Sequence, residues 1–294
     1  MLAVYQINPA KTEVYRYTAC MNPSEPKIGL ALGGGSTLGY AHLGVLRAFV
    51  DSAIPVACIS GTSAGSLVAA CFAFGMPIEK MIEISKDLSW KKFSRFGYSK
   101  LGVNTNLPMA EFITDLLGDV NIEDAKIPLA IIATDIETYE KVVLRKGSLR
   151  DAIRASTCVP GFFAPVEIDG RLLVDGGLVE NVPLSPLADM GATITIGVNL
   201  PFSAVRTRPQ NVIDVLNNSI GVLLRQNVSN LSEADILIQP DTSSFDSSKF
   251  KHVEHIYAEG YAAGMRAVPF IREKLHAHAP KRGLMARIRS VFGK

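Results

Sequence analysis

The chain has 294 residues, of which 48% are hydrophobic, with a mean hydropathy of +0.21 and a formal net charge of +2. That length supports one large α/β domain or two small ones around a real core, and the balanced charge gives no electrostatic footprint for a nucleic-acid partner. No apolar run reaches the roughly 18 residues that a membrane-spanning helix needs.

Met1 to Lys27 lacks a basic stretch followed by an apolar one, so no secretory signal is expected and the expected compartment is the cytoplasm. Residues 1–26 form an N-terminal extension in which Val4-Tyr5-Gln6-Ile7 and Val14-Tyr15-Arg16-Tyr17 alternate between prolines; it reads as an appended or partly ordered segment, with a small edge hairpin as the alternative. Cys20, Cys58, Cys71 and Cys158 show no paired metal spacing and read as buried free thiols.

The core domain begins at the apolar run Ile28 to Leu32, which leads into Gly33-Gly34-Gly35-Ser36-Thr37-Leu38-Gly39 and then into apolar residues at helical spacing. A dinucleotide fingerprint fails here, because Leu38 or Ser36 occupies a required glycine position, and a P-loop fails because Tyr40 follows Gly39. Two readings stand. The loop is either a tight βα turn or an oxyanion loop whose successive N–H groups point at a developing alkoxide.

The next unit is an apolar run ending in Gly61-Thr62-Ser63-Ala64-Gly65, followed by a helix from Ser66 to Phe74 that Gly75 closes. Gly-x-Ser-x-Gly between a strand and a helix reads as a nucleophile elbow: the sharp turn exposes Ser63 at a helix N-terminus, and Gly61 and Gly65 remove the Cβ atoms that would clash. Right-handed crossovers make the two strands parallel and bring the glycine loop and Ser63 to the same sheet edge.

Downstream, Pro77 to Asp87 reads as helix, and Trp90 to Tyr98 mixes aromatic and basic residues, suiting either a lipid-facing rim or a packed helical connection. Pro108 to Leu117 is an amphipathic helix and Leu129 to Asp135 a near-continuous apolar strand, as inside a parallel sheet. A helix over Asp151 to Ser156 stops at Pro160-Gly161, and a hairpin turning on Asp169-Gly170 delivers Asp175-Gly176-Gly177. Asp175 either caps that turn or aims its carboxylate into a site. A strand at Thr193 to Val198, a helix at Val212 to Val228 carrying Leu216 and Leu223 on one face, a short strand near Ile236 and a helix to His276 complete one three-layer α/β/α domain over residues 27–276, with a central, mostly parallel sheet.

Gly33-Gly34-Gly35 with Gly39 to Leu46, the Ser63 elbow, Arg154-Ala155-Ser156 to Pro160-Gly161, and Asp175-Gly176-Gly177 together resemble the bacterial patatin-like phospholipases, in the same order over about residues 27 to 265. The resemblance implies a serine hydrolase of lipid acyl esters with Ser63 as nucleophile and Asp175 as proton acceptor, working through an acyl-enzyme. Gly34, Gly35 and Ser36 would form the oxyanion hole, with Gly33, Gly39, Gly61, Gly65, Gly176 and Gly177 as motif support. It also implies that no cofactor, metal or histidine is needed, so that replacing any one of His42, His252, His255, His276 and His278 is mild. The chain departs from the family loop at Ser36, where a glycine is usual, and at Leu38, where a basic residue is usual. An acyltransferase sharing the acyl-enzyme, and a lipid- or protein-binding module, are the alternatives. So is a Ser-His-Asp hydrolase using one of the late histidines.

Residues 277–294 form a tail. From Lys281 to Lys294 it carries five basic residues, Lys281, Arg282, Arg287, Arg289 and Lys294, and no acid. As a helix it would align Leu284, Ile288, Val291 and Phe292, suiting an anionic membrane surface. The alternative is a solvated or self-docked terminus. Oligomeric state is not legible.

Overall fold

Ile28–Leu32 and Leu129–Asp135 are buried along their whole lengths, as strands in a sheet covered on both faces must be. The computed structural model describes residues 25–99, 101–201, 208–210, 212–226, 229–247 and 249–278. The stretch of the candidate N-terminal hairpin and the basic segment 281–294 lie outside the described residues.

The strands are β1 (Ile28–Leu32), β2 (Cys58–Thr62), β3 (Arg95–Ser99), β4 (Gly102–Thr105), β5 (Leu129–Asp135), β6 (Lys141–Leu144), β7 (Gly161–Phe163), β8 (Val166–Ile168), β9 (Arg171–Asp175), β10 (Ile194–Val198) and β11 (Ile236–Ile238). The helices are α1 (Tyr40–Asp51), α2 (Ala64–Ala73), α3 (Ile78–Lys86), α4 (Trp90–Phe93), α5 (Leu107–Leu117), α6 (Leu149–Ser156), α7 (Ser185–Asp189), α8 (Val212–Gln226) and α9 (Val253–His278).

Eight strands form one sheet in the order β11-β10-β1-β2-β5-β9-β8, with β6 also on β5. β11, β10, β1, β2 and β5 run parallel, while β6, β8 and β9 join antiparallel at one side. Leu30 and Leu32 of β1 face the main core with Leu46 and Phe49 of α1 and Ile256 of α9. Ala31 and Cys58 face the other way, against Val182, Leu184 and Leu187 around α7. The three layers follow from this alternation. α1 and α9 meet backbone to backbone at Gly44 and Gly260, where a Cβ on either would overlap the other helix's main chain.

The β8–β9 hairpin turns on Asp169 and Gly170 with φ of 52° and 72°, the double left-handed conformation of a tight two-residue turn. A second, three-stranded sheet, β3-β4-β7, is a feature that the sequence pattern does not announce. Of the stretch Trp90 to Tyr98, Trp90–Phe93 is the short helix α4 and the rest runs into β3, while the parallel β4–β7 pairing joins Gly102 to Gly161.

Candidate active site

Between β2 and α2 the chain turns at Ser63, whose φ of 51° and ψ of −124° put a non-glycine residue in a strained conformation. The turn is too tight for side chains on its flanks. A Cβ on Gly61 would stand 2.5 Å from the Gly65 carbonyl oxygen, and one on Gly65 would stand 2.6 Å from the Gly33 carbonyl oxygen. Several bonds hold the strain. The Ser63 N–H donates to Ser156 Oγ at 2.9 Å, and Ser156 Oγ donates on to the Ile132 carbonyl at 2.6 Å. The Ser63 carbonyl accepts from the Ser66 N–H at 2.9 Å and from Ser66 Oγ at 2.6 Å. Beneath the elbow, Thr62 Oγ1 donates to the Glu180 carbonyl at 3.0 Å, tying β2 to the segment after Asp175.

Asp175 ends β9. Its N–H donates to the Cys158 carbonyl at 2.9 Å, and its carbonyl accepts from Thr134 Oγ1 at 2.9 Å. Its Oδ1 accepts the Gly177 N–H at 2.8 Å, and the nearby Ser63 hydroxyl favours its ionised form. The carboxylate that caps this turn thus also stands beside Ser63. Gly176 lies against the backbone of Ile132, too close for a side chain. Burial pushes the Asp175 carboxyl up to about 6, against the opposing pull of the bonds from Gly177 and Ser63. A carboxylate at that value is a much better proton acceptor near neutral pH than an ordinary aspartate. Among the described residues no imidazole bonds either Ser63 or Asp175.

The glycine loop lies across from the elbow. A Cβ on Gly34 would stand 3.2 Å from Ser63 Cβ, and one on Gly39 would stand 3.1 Å from Ala64 Cβ. The three expected oxyanion donors are not equivalent. Gly34 N–H is already given to the Asn181 carbonyl at 3.1 Å, as Gly33 N–H is to the Val198 carbonyl at 3.0 Å. The N–H groups of Gly35 and Ser36 have no acceptor among the described residues, and Ser36 has a positive φ of 54°, opening a short 3-10 turn over Ser36–Gly39. Leu38 is fully buried in the core, where apolar neighbours suit it and a cation would be costly.

Apolar side chains gather around β7. Trp90 packs edge-on to Phe162 with ring centroids 6.4 Å apart. Leu216 of α8 reaches to within 2.9 Å of where a Cβ on Gly161 would stand. Trp90, Leu101, Leu107 and Leu216 are all exposed.

A family model described as patatin-like phospholipase matches residues 30–188, more than half the chain, from β1 through the elbow and Asp175 to α7. The chain belongs to the patatin-like phospholipase family. Among its relatives, an uncharacterized NTE family protein of Mycobacterium tuberculosis is 36% identical over 180 residues, covering 60% of this chain and 50% of that protein. The lysophospholipase NTE1 of Kluyveromyces lactis is 26% identical over 302 residues, covering 91% of this chain and 21% of that protein. The chain thus spans half the length of the mycobacterial relative. The crystal structure of VipD from Legionella pneumophila shares the fold, with a TM-score of 0.57 at 14% identity over 86% of this chain and 67% of that one. The patatin-like match stops before α8, β11 and α9.

Sequence reasoning named Ser63, Asp175 and the loop, which the structure brings together at one end of the sheet. It did not find the second bonds of Ser156 or the occupation of the Gly34 N–H, because both depend on residues far away in the chain.

Proposed function

We propose that this protein is a serine hydrolase of lipid acyl esters working through a Ser63–Asp175 dyad. The observation that carries the reading is the Ser63 hydroxyl beside a buried Asp175 whose carboxyl is raised to about 6. Ser63 Oγ attacks the ester carbonyl carbon as its proton passes to Asp175. The resulting oxyanion is held by the free N–H groups of Gly35 and Ser36, at the edge where the N-terminus of α2 also favours negative charge. Collapse expels the alcohol, which takes the proton from Asp175 and leaves an acyl-enzyme. Water then attacks the acyl carbon, giving a proton to Asp175, and collapse releases the acid as Asp175 returns that proton to Ser63 Oγ.

The exposed apolar side chains beside β7 support an acyl-chain substrate. No described helix is long and apolar enough to cross a membrane. The basic, apolar sequence of residues 281–294 supports recruitment to an anionic membrane surface from one side. The test is release of fatty acid from a defined lysophospholipid: the wild-type protein should liberate it and Ser63→Ala should not. Equal release by both proteins would refute the reading.

A further inference from the structure

His42, in the first turns of α1, is fully buried, and its Nε2 lies 2.7 Å from the Gly33 carbonyl oxygen. A carbonyl can only accept, so Nε2 carries the proton. Nδ1 has no hydrogen-bond partner among the described residues. A second proton there would be a buried donor with nothing to receive it, so the ring is neutral and held in a single tautomer. Burial accordingly pulls the imidazole down to about 4, against the opposing bond to Gly33.

What this bond does follows from the planarity of the peptide group. The Gly33 carbonyl and the Gly34 N–H belong to one rigid plane. His42 holds the carbonyl end and the Asn181 carbonyl, at 3.1 Å, holds the N–H end. Rotation of that plane is blocked from both sides. The next N–H along the chain is that of Gly35, one of the two loop donors left free. Its direction is set by φ and ψ of Gly34 measured from the clamped plane, so a plane free to rotate would swing that N–H with it.

We propose that His42 is a positioning residue: as a neutral Nε2–H donor it clamps the Gly33–Gly34 peptide and so aims the Gly35 and Ser36 N–H groups at the oxyanion. This rests on the hydrolase reading above and withdraws, for His42 alone, the expectation that no single histidine matters. The clamp works through backbone geometry, so it acts on the tetrahedral state more than on ground-state binding.

The test compares His42→Leu, which deletes the donor, with His42→Gln, whose side-chain amide can donate from the same reach. On a soluble short-chain ester, His42→Leu should lower kcat by about 10–100-fold with KM little changed, the scale on which small misplacements act. Affinity for a boronic acid that forms a tetrahedral adduct on Ser63 should fall in parallel, and His42→Gln should recover most of both. Equal losses in the two variants, or wild-type kcat in a folded His42→Leu protein, would overturn the clamp. Nitrogen NMR of the wild-type protein with labelled histidine decides the matter independently of variant folding. A neutral Nε2–H ring at position 42 at neutral pH is required, and an Nδ1–H tautomer or an imidazolium there would overturn it. If Ser63→Ala retained full esterase activity, the hydrolase reading would fall instead, while the NMR result would still stand or fall with the clamp.

Discussion

The N–H of Ser63 and the hydroxyl of Ser156 lie 2.9 Å apart, 93 residues from each other in the chain, and that hydroxyl passes the connection to the Ile132 carbonyl at 2.6 Å. One side chain therefore pins the strained elbow to the centre of β5. Ser156→Ala would leave the part-buried Ser63 N–H without this acceptor and take one donor from the Ile132 carbonyl, at a cost of about 1–3 kcal/mol. A drop in Tm is expected together with a fall in kcat, because the elbow gains freedom at its φ of 51°. Thermal unfolding and steady-state kinetics on one preparation check both; unchanged values would show that the elbow is held without Ser156.

Asp175→Asn separates catalysis from stability. The carboxyl is raised from 3.8 in the unfolded chain to about 6 in the folded one, chiefly by burial. Its contribution is therefore fully present below the unfolded value and is lost as pH rises through the folded value. Above that, the buried charge costs about 3 kcal/mol by the conversion of shift to energy. Asparagine never ionises. The variant should lose activity by about a thousandfold yet melt higher than wild type near pH 8, with the gain gone near pH 3.5. Melting curves across that range check the sign; a variant less stable at high pH would contradict it.

The same carboxyl sets an acid limb for turnover. Only the ionised form can take the Ser63 proton, so kcat should fall tenfold per pH unit below about 6. A pH–rate profile on a soluble ester is the check, and a limb near the ordinary aspartate value would show that burial does not tune this group.

The loop is tested by a pair of variants. A Cβ on Gly35 would stand 2.9 Å from Leu200 Cδ1, so Gly35→Ala and Gly35→Pro both crowd that side chain. Only proline also removes the N–H and forces φ away from its observed 175°. Gly35→Pro should therefore lose about 100–1000-fold in kcat beyond whatever Gly35→Ala loses. Kinetics on both variants decide it, and matched losses would exclude the Gly35 N–H as an oxyanion donor.

Much of this arrangement is legible before any coordinates. The elbow is readable because a strained turn needs glycines at fixed offsets, and Asp169-Gly170 is readable because two consecutive positive φ values suit few other pairs. β2 is harder: Ser60 and Gly61 are weak strand formers, yet pairing with β1 and β5 on both sides carries the strand to Thr62. The β3-β4-β7 sheet is not legible, because it rests on contacts such as Gly102 with Gly161 that no local period records. The helix at Val212–Gln226 is present as expected, but its apolar residues Leu216 and Leu223 are 43% and 52% exposed, so amphipathic spacing alone did not say which face is covered. His42 shows the limit most clearly. Its place within the helix pattern of α1 gives no sign of the bond to Gly33.

Reaction with a fluorophosphonate, followed by mass mapping of the modified peptide, bears on the nucleophile itself. The wild-type protein should carry one phosphonate group, on the peptide containing Ser63, and Asp175→Asn should label at a rate lower by about a thousandfold. A label on any other residue, or undiminished labelling of Ser63→Ala, would contradict a Ser63–Asp175 hydrolase.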